Sequence, residues 1–162
     1  MKAIIILGHG SRVPGAGTNM EKVAALLQSR YGYELVEPCY MSRLGPYFPE
    51  TLAKCAAQGA TEVVLIPYFL NNGLHIRLDI PEMMKKEAEK YPELQLIYGD
   101  NLGFDDLLAE IVHKRIQGAE NRPDVRELEL EPKENFPVPP GQGEFVEVSP
   151  EDAKKHDGHH HH

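Results

Sequence analysis

Four stretches of the chain are apolar almost without interruption, at residues 2–7, 34–40, 62–70 and 94–98, and each is the length of a single strand. Between and after them, residues 18–31, 46–58, 80–90 and 104–116 carry apolar positions at helical spacing. The runs AIIIL from Ala3 and VVLI from Val63 have no polar face, which suits strands covered by helices on both sides. Regular alternation of strand and helix is the pattern of successive βαβ units. The expected fold is therefore α/β: a flavodoxin-like, doubly wound small parallel sheet of about four strands with helices on both faces. Right-handed crossovers would bring the carboxyl ends of all its strands to one edge.

The periodic pattern stops after about Ala119. Residues 122–162 hold six of the thirteen prolines and one short strand-like run, at residues 144–148. The expected organisation is an α/β domain over residues 1–119 and an extended or partly disordered acidic appendage over residues 120–162, not a second domain. Charge follows the same division: residues 1–121 carry 12 Lys+Arg against 15 Asp+Glu, and residues 122–162 carry 5 against 10. The chain ends in histidines at 156 and 159–162, which read either as a remnant of a purification tag or as a native metal-collecting tail. No basic face interleaved with aromatics appears, which argues against a nucleic-acid partner. No apolar run approaches the roughly 20 residues of a membrane span, and Met1 leads straight into a strand without a signal-peptide pattern; the expectation is a soluble cytoplasmic protein with no membrane partner. Cys39 and Cys55 form no CxxC pair and read as buried free thiols.

Candidate chemistry collects at the ends of two strands. His9 follows the first apolar run in GHGSR at residues 8–12, and His75 follows the third, after the loop residues Asn71, Asn72 and Gly73. Ligands of open α/β sheets bind in the crevice beyond the strand carboxyl ends, so these two imidazoles are candidates for one metal or acid/base centre. Gly8 and Gly10 leave room beside His9 for a bulky ligand, while Ser11, Arg12 and the backbone N–H groups of the turn suit a carboxylate or phosphate. Near His75, Pro67 ends the strand because it cannot donate to the ladder. Asp79 and Pro81 read as the cap and first turn of the next helix. Arg77 reads as an anion contact or as a solvated side chain. His113, inside a helical pattern, reads as an ordinary helix-surface residue.

Taken together, GHGSR at residues 8–12, VLIPYFL at residues 64–70, and Gly73, Leu74 and His75 followed by Asp79, Ile80 and Pro81 resemble the small sirohydrochlorin chelatases, the short CbiX-type members of the class II chelatases. The resemblance covers roughly residues 1–118 and implies a fold like one half of the longer two-domain chelatases. It implies a homodimer that holds the tetrapyrrole between two subunits. It also implies that His9 and His75 are metal ligands and help remove pyrrole protons. The implied reaction is ATP-independent insertion of a divalent ion into sirohydrochlorin, with Co(II) foremost and Ni(II) or Fe(II) as alternatives. The metal is then a substrate, and no permanently bound cofactor is expected. Where relatives commonly carry acids after the second strand, this chain has Ser42 and Gly45.

Neutral imidazoles can replace water around a metal ion and accept protons near neutral pH, so one pair could serve both needs. Arg12, Arg43 and Arg77 are candidates to hold the carboxylate-rich rim of the ring. The competing function is a non-enzymatic metal-binding or delivery protein using the same histidines. A phosphate-ester hydrolase built on His9 is the weakest reading, because Arg12 follows the histidine where that chemistry usually places the arginine before it.

Overall fold

The computed structural model describes residues 1–11, 13 and 15–135, apart from the side chains of His75 and Lys133. Four parallel strands, β1 (Lys2–Gly8), β2 (Leu35–Tyr40), β3 (Glu62–Pro67) and β4 (Gln95–Tyr98), form one sheet in the order β2-β1-β3-β4. They alternate with helices α1 (Thr18–Tyr31), α2 (Phe48–Ala57), α3 (Ile80–Ala88) and α4 (Asp106–Ala119). This is the small parallel α/β sheet expected from the sequence. Arg12, the strand-like run at residues 144–148 and the terminal histidines lie outside the described residues.

β1 occupies the centre because it is apolar on both faces. Ala3, Ile5 and Leu7 pack with Phe48 and Leu52 of α2 and Ile80 and Met84 of α3, whereas Ile4 and Ile6 pack with Met20 and Ala24 of α1. The period-2 alternation of a strand thus feeds two separate layers from one segment. Helix α1 stops at Gly32, which adopts the left-handed φ of 74° and donates its N–H to the Gln28 carbonyl at 3.1 Å. Helix α4 behaves differently. It buries none of its residues, and Leu107, Ile111, Val112 and Ile116 remain exposed along it.

Helix α3 begins where the sequence places it, at Ile80 with Asp79 in the N-cap position and Pro81 in the first turn, but two details differ. A π-helical turn, His75–Asp79, precedes α3, and Asp79 has helical dihedrals with no capping hydrogen bond from its side chain. The reason is burial: Ile76 and Ile80, four apart, both enter the core, so the helical face continues one turn upstream of the local cap signal.

Past the last residues of β1 and β2 the two chains stay joined. The Met41 N–H donates to the Gly8 carbonyl at 2.9 Å and the Ser42 N–H to the His9 carbonyl at 3.2 Å. Gly10 lies in this crossing with a φ of +99°, and a Cβ there would overlap the Ser42 carbonyl oxygen. Both conditions select glycine. Gly10→Ala is therefore expected to cost more than about 2 kcal/mol. The measurement is the urea midpoint at unchanged m; a midpoint equal to wild type would mean that the Ser42 turn does not dock on the His9 loop.

Candidate functional site

His9 is the first residue beyond β1. Its Nδ1 is buried, and its ring meets Phe69 edge-on, with centroids 6.4 Å apart and planes at 82°. Phe69 belongs to the connection after β3, so this contact links the carboxyl ends of two neighbouring strands. A cavity of about 250 Å³ opens beside His9, lined by Gly8, Gly10, Ser11, Met20 and Tyr40 among others. Gly8 permits it to close tightly on α1, since a Cβ there would sit 2.5 Å from the Met20 sulfur. Burial, and secondarily Glu21, pushes the Tyr40 phenol above its usual pKa, and its hydroxyl donates to the Gly17 carbonyl at 3.4 Å. Tyr40 is thus a neutral donor, not a base.

Helix α1 begins at Thr18, as expected, and Ser11 Oγ accepts from the Val13 N–H at 3.1 Å inside the loop, which leaves its own O–H to donate. The first turn of α1 also carries its own carboxylate, Glu21, at the positive end of the helix.

Arg43 sits in the turn docked on the His9 loop, and its backbone is left-handed, with φ 68°. The Leu44 N–H donates to the Ser42 carbonyl at 2.8 Å, closing a tight turn around Arg43. A non-glycine residue in this conformation costs about 1–2 kcal/mol, so its surroundings hold it there. Its side chain is exposed on the same edge as His9 and forms no ion pair among the described residues.

His75 opens the π-helical turn. The chain leaves β3 with the Tyr68 N–H donating to the Leu7 carbonyl at 2.7 Å, passes Phe69, and enters the turn with the Arg77 N–H donating to the Gly73 carbonyl at 3.1 Å. Ile76 anchors the turn in the core, and Arg77 faces solvent. The backbone of His75 therefore lies on the edge that His9 occupies, one strand away. Leu70, Leu74 and Leu78 give this edge an exposed aliphatic surface.

Sequence reasoning missed two residues. The Tyr98 hydroxyl donates to the Ile76 carbonyl, and Asn101 Nδ2 donates to the carbonyls of Phe69 at 3.1 Å and Asn71 at 3.4 Å. The only signal was their place, at and just after the end of the fourth strand.

Other groups contribute little. Burial pushes the Cys39 thiol up to about 12 and the Cys55 thiol up to about 11, so neither offers a thiolate to a metal near neutral pH. His113 is exposed on α4. No group of three or more His, Cys, Asp or Glu side chains able to hold a metal occurs among the described residues. No helix among them is long and apolar enough to cross a membrane.

Similarity to known proteins agrees with this fold. The chain is 32% identical to a sirohydrochlorin cobaltochelatase of Methanopyrus kandleri, over 74% of this chain and 97% of that protein. It is 28% identical to a sirohydrochlorin ferrochelatase of Priestia megaterium, over 72% of this chain but 44% of that one. The crystal structure of the sirohydrochlorin chelatase SirB from Bacillus subtilis subspecies spizizenii in complex with cobalt superposes with a TM-score of 0.67 at 27% identity, covering 72% of this chain and 50% of SirB. Residues 3–119 match the CbiX family, and the chain belongs to it.

Proposed function

We propose that this protein inserts a divalent metal ion, Co(II) foremost, into sirohydrochlorin without ATP, in the cytoplasm. The observation that carries the reading is the emergence of His9 and of the His75 turn from the carboxyl ends of adjacent strands β1 and β3. Relatives over the matched region are cobalto- and ferrochelatases for sirohydrochlorin, and imidazole donors accept Co(II), Ni(II) and Fe(II) alike.

Insertion requires that water leave the ion, that the inner pyrrole protons leave the ring, and that both partners be held in register. Neutral His9 and His75 replace water on the ion and, as metal–nitrogen bonds to the ring form and free their lone pairs, accept the pyrrole protons. The aliphatic surface of Leu70, Leu74 and Leu78 suits the flat face of the ring, and Arg12, Arg43 and Arg77 suit its carboxylate rim, with Gly10 and Ser11 shaping the turn around the ion.

Two copies complete the site in this reading. The ferrochelatase and SirB are about twice as long as the region they share with this chain, so each has room for two such halves. A homodimer supplies the second half, and the exposed stripe of Leu107, Ile111 and Ile116 on α4 is the surface it would cover.

Four outcomes test the proposal. His9→Ala or His75→Ala should abolish Co(II) insertion, followed by the absorbance change of sirohydrochlorin, while circular dichroism stays native; near-normal turnover by both variants would sink the assignment. Metal depletion without accelerated insertion by the wild type would instead identify a carrier. Arg43→Gly relieves a left-handed residue and removes a charged hydrogen-bond donor, so the urea midpoint should hold or rise while the KM for sirohydrochlorin increases about tenfold. An unchanged KM would remove Arg43 from the rim. Ile111→Lys should shift the protein from dimer to monomer in light scattering and lower specific activity; a dimer that survives the substitution would exclude α4 as the interface.

A further inference from the structure

The segment that ends β4 and leads towards α4, residues 98–101, supplies no group suited to bind a metal through His or Cys, yet it touches both histidine-bearing connections. Gly99 brings it flat against β3: its N–H donates to the Leu65 carbonyl at 2.9 Å, and a Cβ would lie 2.5 Å from Ile66 Cδ1. From there Asn101 binds the carbonyls of Phe69 and Asn71, and the Gly103 N–H adds a second bond to Phe69 at 3.3 Å. Phe69 is the residue whose ring meets His9. On the other side, the Tyr98 hydroxyl donates to the Ile76 carbonyl, one residue after His75.

That carbonyl has a specific need for an outside donor. In a π-helical turn the carbonyl of residue i bonds to the N–H of residue i+5. For Ile76 that residue is Pro81, which has no N–H. Ile76 is itself buried, so water is poorly placed to substitute. The Tyr98 hydroxyl takes the place of the missing backbone donor, and burial, followed by Asp100, raises its pKa and keeps its proton in place. Turns of this kind recur at functional sites, and here one begins at His75.

We infer that Tyr98 is a positioning residue of the metal site: its hydroxyl fixes the π-helical turn that carries His75, while Asn101 fixes the connection that seats Phe69 against His9. The inference rests on the reading of His75 as a metal ligand. Tyr98 acts through that turn and touches neither ion nor ring. Removing an outer partner of a metal-binding histidine commonly lowers metal affinity or activity by about 10- to 100-fold.

The test uses Tyr98→Phe, which keeps the ring and deletes the hydroxyl, in the full chain with His156 and residues 159–162 changed to Ala so that the tail does not take up the probe. Co(II) alone is titrated calorimetrically, and insertion kinetics are measured in parallel. Tyr98→Phe should weaken Co(II) binding about tenfold and lower kcat about tenfold with the KM for sirohydrochlorin unchanged; a variant that is only less stable would keep both values per folded molecule. In a His75→Ala background Tyr98→Phe should weaken Co(II) no further, and Pro81→Ala, which restores an N–H opposite Ile76, should recover most of the loss. Wild-type Co(II) affinity in Tyr98→Phe, an equal loss in both backgrounds, or no recovery by Pro81→Ala would each overturn the inference. His75→Ala alone separates the two readings: if it binds and inserts Co(II) normally, the assignment of His75 fails and the inference falls with it; if it is inactive while Tyr98→Phe is normal, only the inference fails.

Discussion

The burial of β1 on both of its faces is the constraint from which the site follows. Ala3, Ile5 and Leu7 enter one layer and Ile4 and Ile6 the other, so a shift of one residue would exchange every side chain between layers. Each buried Ile or Leu is worth about 1.5–3 kcal/mol, and such a shift puts several of them at risk together. That register sets Gly8 opposite Tyr40 and Leu7 opposite Pro67. It therefore decides where His9 emerges, where the Ser42 turn crosses it, and where the chain leaves β3 on its way to His75. The position of the chemistry is a consequence of core packing, before any loop has been specified.

Much of this was legible because the apolar runs are long and lack a polar face, which leaves a buried parallel strand as the consistent choice. Helix α1 was legible to its last residue because Gly32 provides the left-handed stop. The π-helical turn was not. Asp79 and Pro81 are good local start signals, but Ile76 and Ile80 gain more by entering the core together than Asp79 gains by capping. The start of α2 was misjudged for a similar reason: Pro46 accepts the Tyr40 N–H at 3.0 Å through its carbonyl and belongs to the turn, so the helix begins at Phe48. Tyr98 and Asn101 were out of reach because their role depends on β4 lying beside β3, and strand order is not contained in hydrophobic periodicity. Helix α4 shows the limit from the other side. Its apolar stripe is plain in the sequence, yet among the described residues that stripe meets no partner layer, as its lack of buried residues records.

In the proposed function, the turn after β2 lets two oppositely charged substrates share one edge. A divalent cation is drawn by carboxylates, and a carboxylate-rich ring is repelled by them; at contact distance and an effective dielectric near 20 either effect is about 4 kcal/mol per charge pair. A site with acids at residues 42 and 45 would favour the ion at the ring's expense. This chain instead has Ser42 and Gly45 there, with Arg43 held between them in a strained conformation. In the proposed reaction, neutral imidazoles bind the ion through lone pairs without adding negative charge, and arginines meet the rim away from the centre. The strain at Arg43 then has a use: it keeps positive charge on the edge near the His9 loop. In that reading the two electrostatic demands are separated in space, and metal affinity then depends on the geometry of the histidines. The outer hydrogen bonds from Tyr98 and Asn101 carry weight in the same reading, since Ser42 and Gly45 offer no charge attraction to compensate for a misplaced imidazole.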